Sequence, residues 1–130
     1  MTVSSSPRIL LVDDSRTSVL LMTRLLALDG YDNVEVAMDR EQAVAAFERH
    51  RPDLVVMDFY LPDVEGFELL EYFTRPADER ASVDVIVLSA ELDDEVRRGA
   101  LARGARKFLL KLEDAGRISE VVAGVLADRD

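Results

Sequence analysis

Three short apolar runs in this chain each end on charged side chains. Ile9, Leu10, Leu11 and Val12 lead into Asp13 and Asp14; Leu54, Val55, Val56 and Met57 lead into Asp58; Phe108, Leu109 and Leu110 lead into Lys111. Unbroken apolar runs of this length read as strands buried on both faces, the habit of parallel sheets. Open parallel sheets bind ligands outside the carboxyl ends of their strands. Asp13, Asp14, Asp58 and Lys111 are therefore expected to meet at one sheet edge. Carboxylates gathered there would repel one another by about a few kcal/mol per pair at close range. Such a cluster calls for a cation, and hard oxygen ligands with water suit Mg²⁺. The pattern is that of a metal-dependent phosphoryl-transfer site.

Composition narrows the remaining classes. A length of 130 residues with 48% apolar content suits one domain with one core. The net charge of −10 argues against non-specific nucleic-acid binding, whose affinity comes mainly from Lys and Arg at phosphates. Cysteine is absent, which excludes a disulfide framework and a thiolate metal site. No apolar stretch reaches the length of a membrane span, and residues 1–7 lack the apolar core of a signal peptide. The expected compartment is the cytoplasm.

Along the chain, strand and helix alternate five times. Strands are predicted at 8–13, 34–38, 54–58, 83–88 and 107–110. Helices are predicted at 16–28, 41–49, 67–73, 93–103 and 115–127. Ser15 is placed to cap the first helix and Gly30 to end it. Pro62 and Gly66 punctuate the loop after the third strand, and Arg75-Pro76 stops the helix that follows. Gly104 stands where a helix commonly stops. The expected organisation is a short disordered N-terminus, 1–7, and one doubly wound α/β domain, 8–128.

These residues resemble the receiver domain of bacterial two-component response regulators. The likeness is carried by Asp13-Asp14, by Asp58 with Pro62 and Gly66 behind it, by Ser89-Ala90 after the fourth strand, and by Gly104-Ala105 leading to Phe108 and Lys111. It implies a flavodoxin-like parallel sheet in the order 2-1-3-4-5. It further implies that Asp58 accepts a phosphoryl group, with Lys111 neutralising a phosphoryl oxygen. Mg²⁺ would be held by Asp14 directly, Asp13 through water, Asp58 and the backbone carbonyl of Tyr60. Ser89 would reach another phosphoryl oxygen after phosphorylation, coupled to rotation of Phe108. The implied partners are a sensor histidine kinase or histidine phosphotransfer protein, and a downstream protein or a second copy. The chain would then be a signalling receiver, catalysing only its own phosphorylation and dephosphorylation.

Rival readings are open to the same residues. Asp13-Asp14 could simply favour a helix N-terminus, and Phe108 could be plain core. A haloacid dehalogenase-type phosphatase needs a second acid two residues after its nucleophile, where Tyr60 stands. A flavodoxin-like cofactor binder would want a Ser, Thr and Gly-rich phosphate loop in place of Asp13-Asp14. His50, the only histidine, is expected exposed at the end of the second helix and without a phosphate or metal role. The remaining alternative is a degenerate receiver that docks partners without phosphorylation.

Departures from the family pattern are individual to this chain. Receivers usually follow the lysine with a cis proline; Leu112 follows Lys111 here, and a non-proline cis bond costs about 2.5–4 kcal/mol, so a trans bond is expected. Tyr60 and Glu91 would flank the path of hydrolytic water, the ring shielding the acyl phosphate and the acid orienting water. Gly99, inside the fourth helix, admits close packing or deformability. On the first helix Ser18, Leu21, Met22, Leu25 and Leu28 are expected to face the core. Arg16, Leu20, Thr23, Arg24 and Ala27 would face outward, Leu20 toward the kinase. Arg97, Arg98, Arg103, Arg106 and Lys107 suggest a basic docking face between the fourth and fifth helices, for an acidic partner or for Glu113, Asp114 and Glu120 of a second copy.

Overall fold

Parallel pairing joins five strands in the order β2-β1-β3-β4-β5, with β1 Ile9–Val12, β2 Val34–Ala37, β3 Leu54–Asp58, β4 Asp84–Ser89 and β5 Lys107–Leu110. The helices are α1 Arg16–Leu28, α2 Arg40–His50, α3 Gly66–Thr74, α4 Asp94–Ala102 and α5 Ile118–Ala127. This computed structural model describes residues 7–75, 83–111 and 113–128. The polar start at residues 1–6, Pro76 and Leu112 with its peptide bond lie outside the described residues.

Alternation along the strands divides the core in two. Leu10, Val12, Val55, Met57, Val85 and Val87 pack with Phe47, Leu69, Leu70 and Phe73 on the face covered by α2, α3 and α4. Ile9, Leu11, Leu54, Val56, Ile86 and Leu88 pack with Met22, Leu26, Ile118, Val122 and Val125 beneath α1 and α5. Each fully buried leucine or isoleucine contributes about 1.5–3 kcal/mol relative to exposure. That two-sided burial explains why the runs carry no polar alternation.

Most element boundaries match the expectation within a residue or two. Ser15 caps α1, its side chain accepting from Ser18 N, and Asp39 caps α2 by accepting from Gln42 N at 2.8 Å. Gly30 and Gly104 adopt φ of 89° and 105°, the left-handed geometry that ends a helix. β4 begins one residue later than expected and takes in Ser89. The last helix starts as a 3₁₀ turn, Ala115–Arg117.

The inner face of α1 differs from the expectation. Met22 and Leu26 are buried, with Val19 and Leu25 packed beside them, whereas Leu21 is 40% and Leu28 80% exposed. The buried stripe lies about one residue away from the expected one. It is set by the docking of α1 on α5, where Ser119 Oγ donates to Leu25 O at 3.0 Å. Leu20 is exposed as expected.

Candidate phosphoacceptor site

The carboxyl ends of β1 and β3 are adjacent in the strand order, and that of β5 lies one strand further on, beyond β4. Asp13, Asp14 and Asp58 each offer a carboxylate oxygen, and these oxygens lie within 4.8 Å of one another. Asp13 and Asp58 are buried and Asp14 is exposed. Lys111 crosses from β5 and places Nζ 3.1 Å from Asp58 Oδ2 and 3.1 Å from Asp13 Oδ1. Tyr60 N donates to Asp58 Oδ1 at 3.2 Å, bringing the Tyr60 peptide beside the cluster.

Burial is the strongest influence on Asp58 and raises its pKa. The charge and hydrogen bond of Lys111 pull it down, Asp13 pushes it up and the Tyr60 amide lowers it, leaving it above its ordinary value. Burial would by itself lower the Lys111 ammonium. Hydrogen bonds and charges from Asp13 and Asp58 together outweigh that, so its pKa is raised. Lys111 is thus held cationic, while Asp58 remains in surroundings that disfavour its charge. One lysine does not offset two buried carboxylates.

Asp13 is one of the carboxylates that could hold a further cation. Its Oδ1 accepts from Ser15 N at 2.9 Å as well as from Lys111. Its Oδ2 lies 2.9 Å from Lys111 Nζ, so one ammonium serves both oxygens of a fully buried carboxylate. A buried carboxylate that shares its one cation with a second carboxylate is incompletely compensated. Beside two further carboxylates it fits a hard divalent cation or the water such an ion carries.

Ser89 is fully buried at the end of β4, and its hydroxyl is engaged away from the carboxylates. Ser89 Oγ donates to Glu91 O at 2.8 Å and accepts from Glu91 N at 3.2 Å. Phe108 is half-buried against the α2–α4 side of the core. Tyr60 is 45% exposed and meets Phe59 edge-on, with ring centroids 5.0 Å apart. Partial burial, then Glu91 and Asp93, push the Tyr60 phenol up. His50, expected exposed, is half-buried at the end of α2, where Glu35 lies 3.4 Å from it, and it is remote from this edge.

Two features escaped the sequence reading. Phe59 packs on Gly66, where a Cβ would come within 2.5 Å of its ring, and meets Phe67 edge-on at 5.0 Å. Arg103 stacks on the Phe67 ring, 3.9 Å from its centroid, and pairs with Glu71 at 3.2 Å. Asp114 is the second: its carboxylate accepts from Leu110 N, next to Lys111, at 2.8 Å. An aspartate three residues after the lysine was the available signal, and it read only as surface charge.

The family model described as the response regulator receiver domain matches residues 9–123. The chain is 31% identical over 115 residues to chemotaxis protein CheY of Bacillus subtilis, covering 88% of this chain and 93% of that protein. It is 30% identical over 120 residues to protein PilH of Pseudomonas aeruginosa, covering 92% and 98%. A CheY-like response regulator receiver domain protein from Methanospirillum hungatei has a similar structure, with TM-score 0.81 and 28% identity over 95% of this chain and 96% of that one. Sequence match, strand order and the acidic edge agree, and the chain belongs to the response regulator receiver domain family of two-component signalling.

Proposed function

We propose that this receiver takes a phosphoryl group from a phosphohistidine onto Asp58 in a Mg²⁺-dependent reaction, and that the product changes which protein it binds. The donor would be a sensor histidine kinase or a histidine phosphotransfer protein. The observation that carries the reading is the convergence of Asp13, Asp14 and Asp58 under the single cation of Lys111. An Asp58 oxygen attacks phosphorus, the new O–P bond forming as the P–N bond breaks, and the departing imidazole nitrogen keeps the electron pair. Lys111 neutralises charge on the transferred group, as positioning and electrostatics suffice for this transfer. Asp13, Asp14, Asp58 and the Tyr60 carbonyl would hold Mg²⁺, which when bound supplies Lewis-acid stabilisation of phosphoryl charge.

Release of Ser89 Oγ from Glu91 would let it donate to a phosphoryl oxygen, with Phe108 turning inward. Output would then pass through the face from α4 to α5, to a downstream protein or a second copy. Turnover of a separate substrate is not part of this reading, and neither nucleic acid nor membrane is a direct partner. Among the described residues no helix is long and apolar enough to cross a membrane, which accords with a cytoplasmic setting. Acetyl phosphate with Mg²⁺ should add one phosphoryl group by intact mass, and EDTA should prevent it. No mass gain in Mg²⁺ would favour the degenerate docking module.

A further inference from the structure

Lys111 acts at the tip of a long flexible stem, so its backbone must be anchored for Nζ to reach two carboxylates. One anchor is the sheet: Lys111 N donates to Ser89 O at 2.8 Å. β5 is an edge strand, and Leu110 N, alternating with Lys111 N, points away from β4. That outward amide donates to Asp114 Oδ2 at 2.8 Å, while Asp114 N donates to Leu110 O at 2.9 Å. Both polar groups of Leu110 are thus held by one residue, and the chain carrying Lys111 is closed into a ring. Asp114 stands at the N-cap position of the 3₁₀ turn leading into α5, yet its side chain makes no capping bond there. Its other oxygen meets Arg117 Nη1 at 3.4 Å.

We infer that Asp114 is a positioning residue for Lys111, holding the end of β5 from which the lysine projects. This role rests on the phosphoryl-accepting reading of Asp58. A carboxylate on the Leu110 amide fixes where β5 ends, and therefore where the lysine stem begins. Small displacements of such a group cost rate steeply.

The test compares Asp114→Ala, Asp114→Asn and Arg117→Ala. In labelling with acetyl phosphate and Mg²⁺, acetate leaves as the Asp58 O–P bond forms. Asp114→Ala should lower that rate about tenfold. Asparagine keeps an acceptor for Leu110 N and should restore most of it, and Arg117→Ala should label normally. In the metal-free protein, NMR should show faster Leu110 amide exchange and a shifted Lys111 ammonium signal in the alanine variant alone. An unshifted ammonium signal, or asparagine behaving like alanine, would overturn the assignment. If the unmodified chain takes no phosphate, the functional reading fails, and the ammonium signal still decides the role of Asp114.

Discussion

As the proposed nucleophile, Asp58 would combine two demands that conflict, since a nucleophile must be charged and a buried carboxylate resists charge. Its folded pKa lies above the ordinary value of 3.8, first because of burial. A group raised in this way favours folding fully below its unfolded pKa and loses that contribution as pH rises through the folded value. At neutral pH the ionised Asp58 therefore weighs against the fold. Asp58→Asn should melt at a higher temperature than the unmodified chain at pH 7 in EDTA, with the difference shrinking as pH falls toward 3.8. A melting temperature equal to or below that of the unmodified protein would contradict this electrostatic account. Under the proposed function, Tyr60 bears on a different property of the same site. If its ring shields the acyl phosphate, Tyr60→Asn should shorten the phosphorylated half-life severalfold. Decay of the labelled species followed by mass would show it, and an unchanged half-life would mean that Glu91 and solvent set the rate.

Elements were legible in the sequence where a physical signal was local. β3 and β5 have the expected limits because their apolar runs stop at Asp58 and Lys111, where burial gives way to the site. Ser15, Gly30 and Gly104 act as read because caps depend on the residue and its immediate neighbours. The buried stripe of α1 was misplaced because docking on α5, not the helix's own periodicity, sets its rotation. Asp114 was missed for a similar reason, its acceptor role depending on where β5 ends. Gly99 offers the sharpest contrast of this kind. Propensity alone says that Gly99→Ala should stabilise α4 by about 1 kcal/mol. The structure leaves a Cβ there only 2.6 Å from the ring of Phe67, which packs against both Phe59 and Arg103. Overpacking costs about 1–3 kcal/mol, so the net change should be destabilising by about 1 kcal/mol. Gly124 in α5 has nothing within 4 Å of its would-be Cβ, and Gly124→Ala should stabilise by up to about 1 kcal/mol. Urea melts of the two variants should move in opposite directions, and parallel shifts would mean that the Phe67 contact is loose.

At the scale of the whole molecule, the acidic edge would receive the donor under the proposed function, with α1 and α4 as candidate surfaces beside it. The basic cluster near α4 is less available than its sequence implied. Arg97 and Arg98 pair with Asp94, Arg103 with Glu71, and Arg106 with Asp84 and Asp128. Asp114, expected on an acidic docking surface, is likewise committed to Leu110 and Arg117. Charge steering through this face is correspondingly weakened, since paired exposed charges contribute little. The exposed Leu20 on α1 is the better candidate for kinase contact. Leu20→Asp should slow transfer from a phosphorylated histidine kinase about tenfold while acetyl phosphate labels at the normal rate. Equal loss with both donors would indicate misfolding. Identification of the phosphorylated side chain tests the central claim most directly. Borohydride reduces an aspartyl phosphate to homoserine, so treatment after labelling should leave homoserine at position 58, detected by peptide mass. Homoserine at Asp13 or Asp14, or phosphate that persists in Asp58→Asn, would contradict the assignment of Asp58 as acceptor.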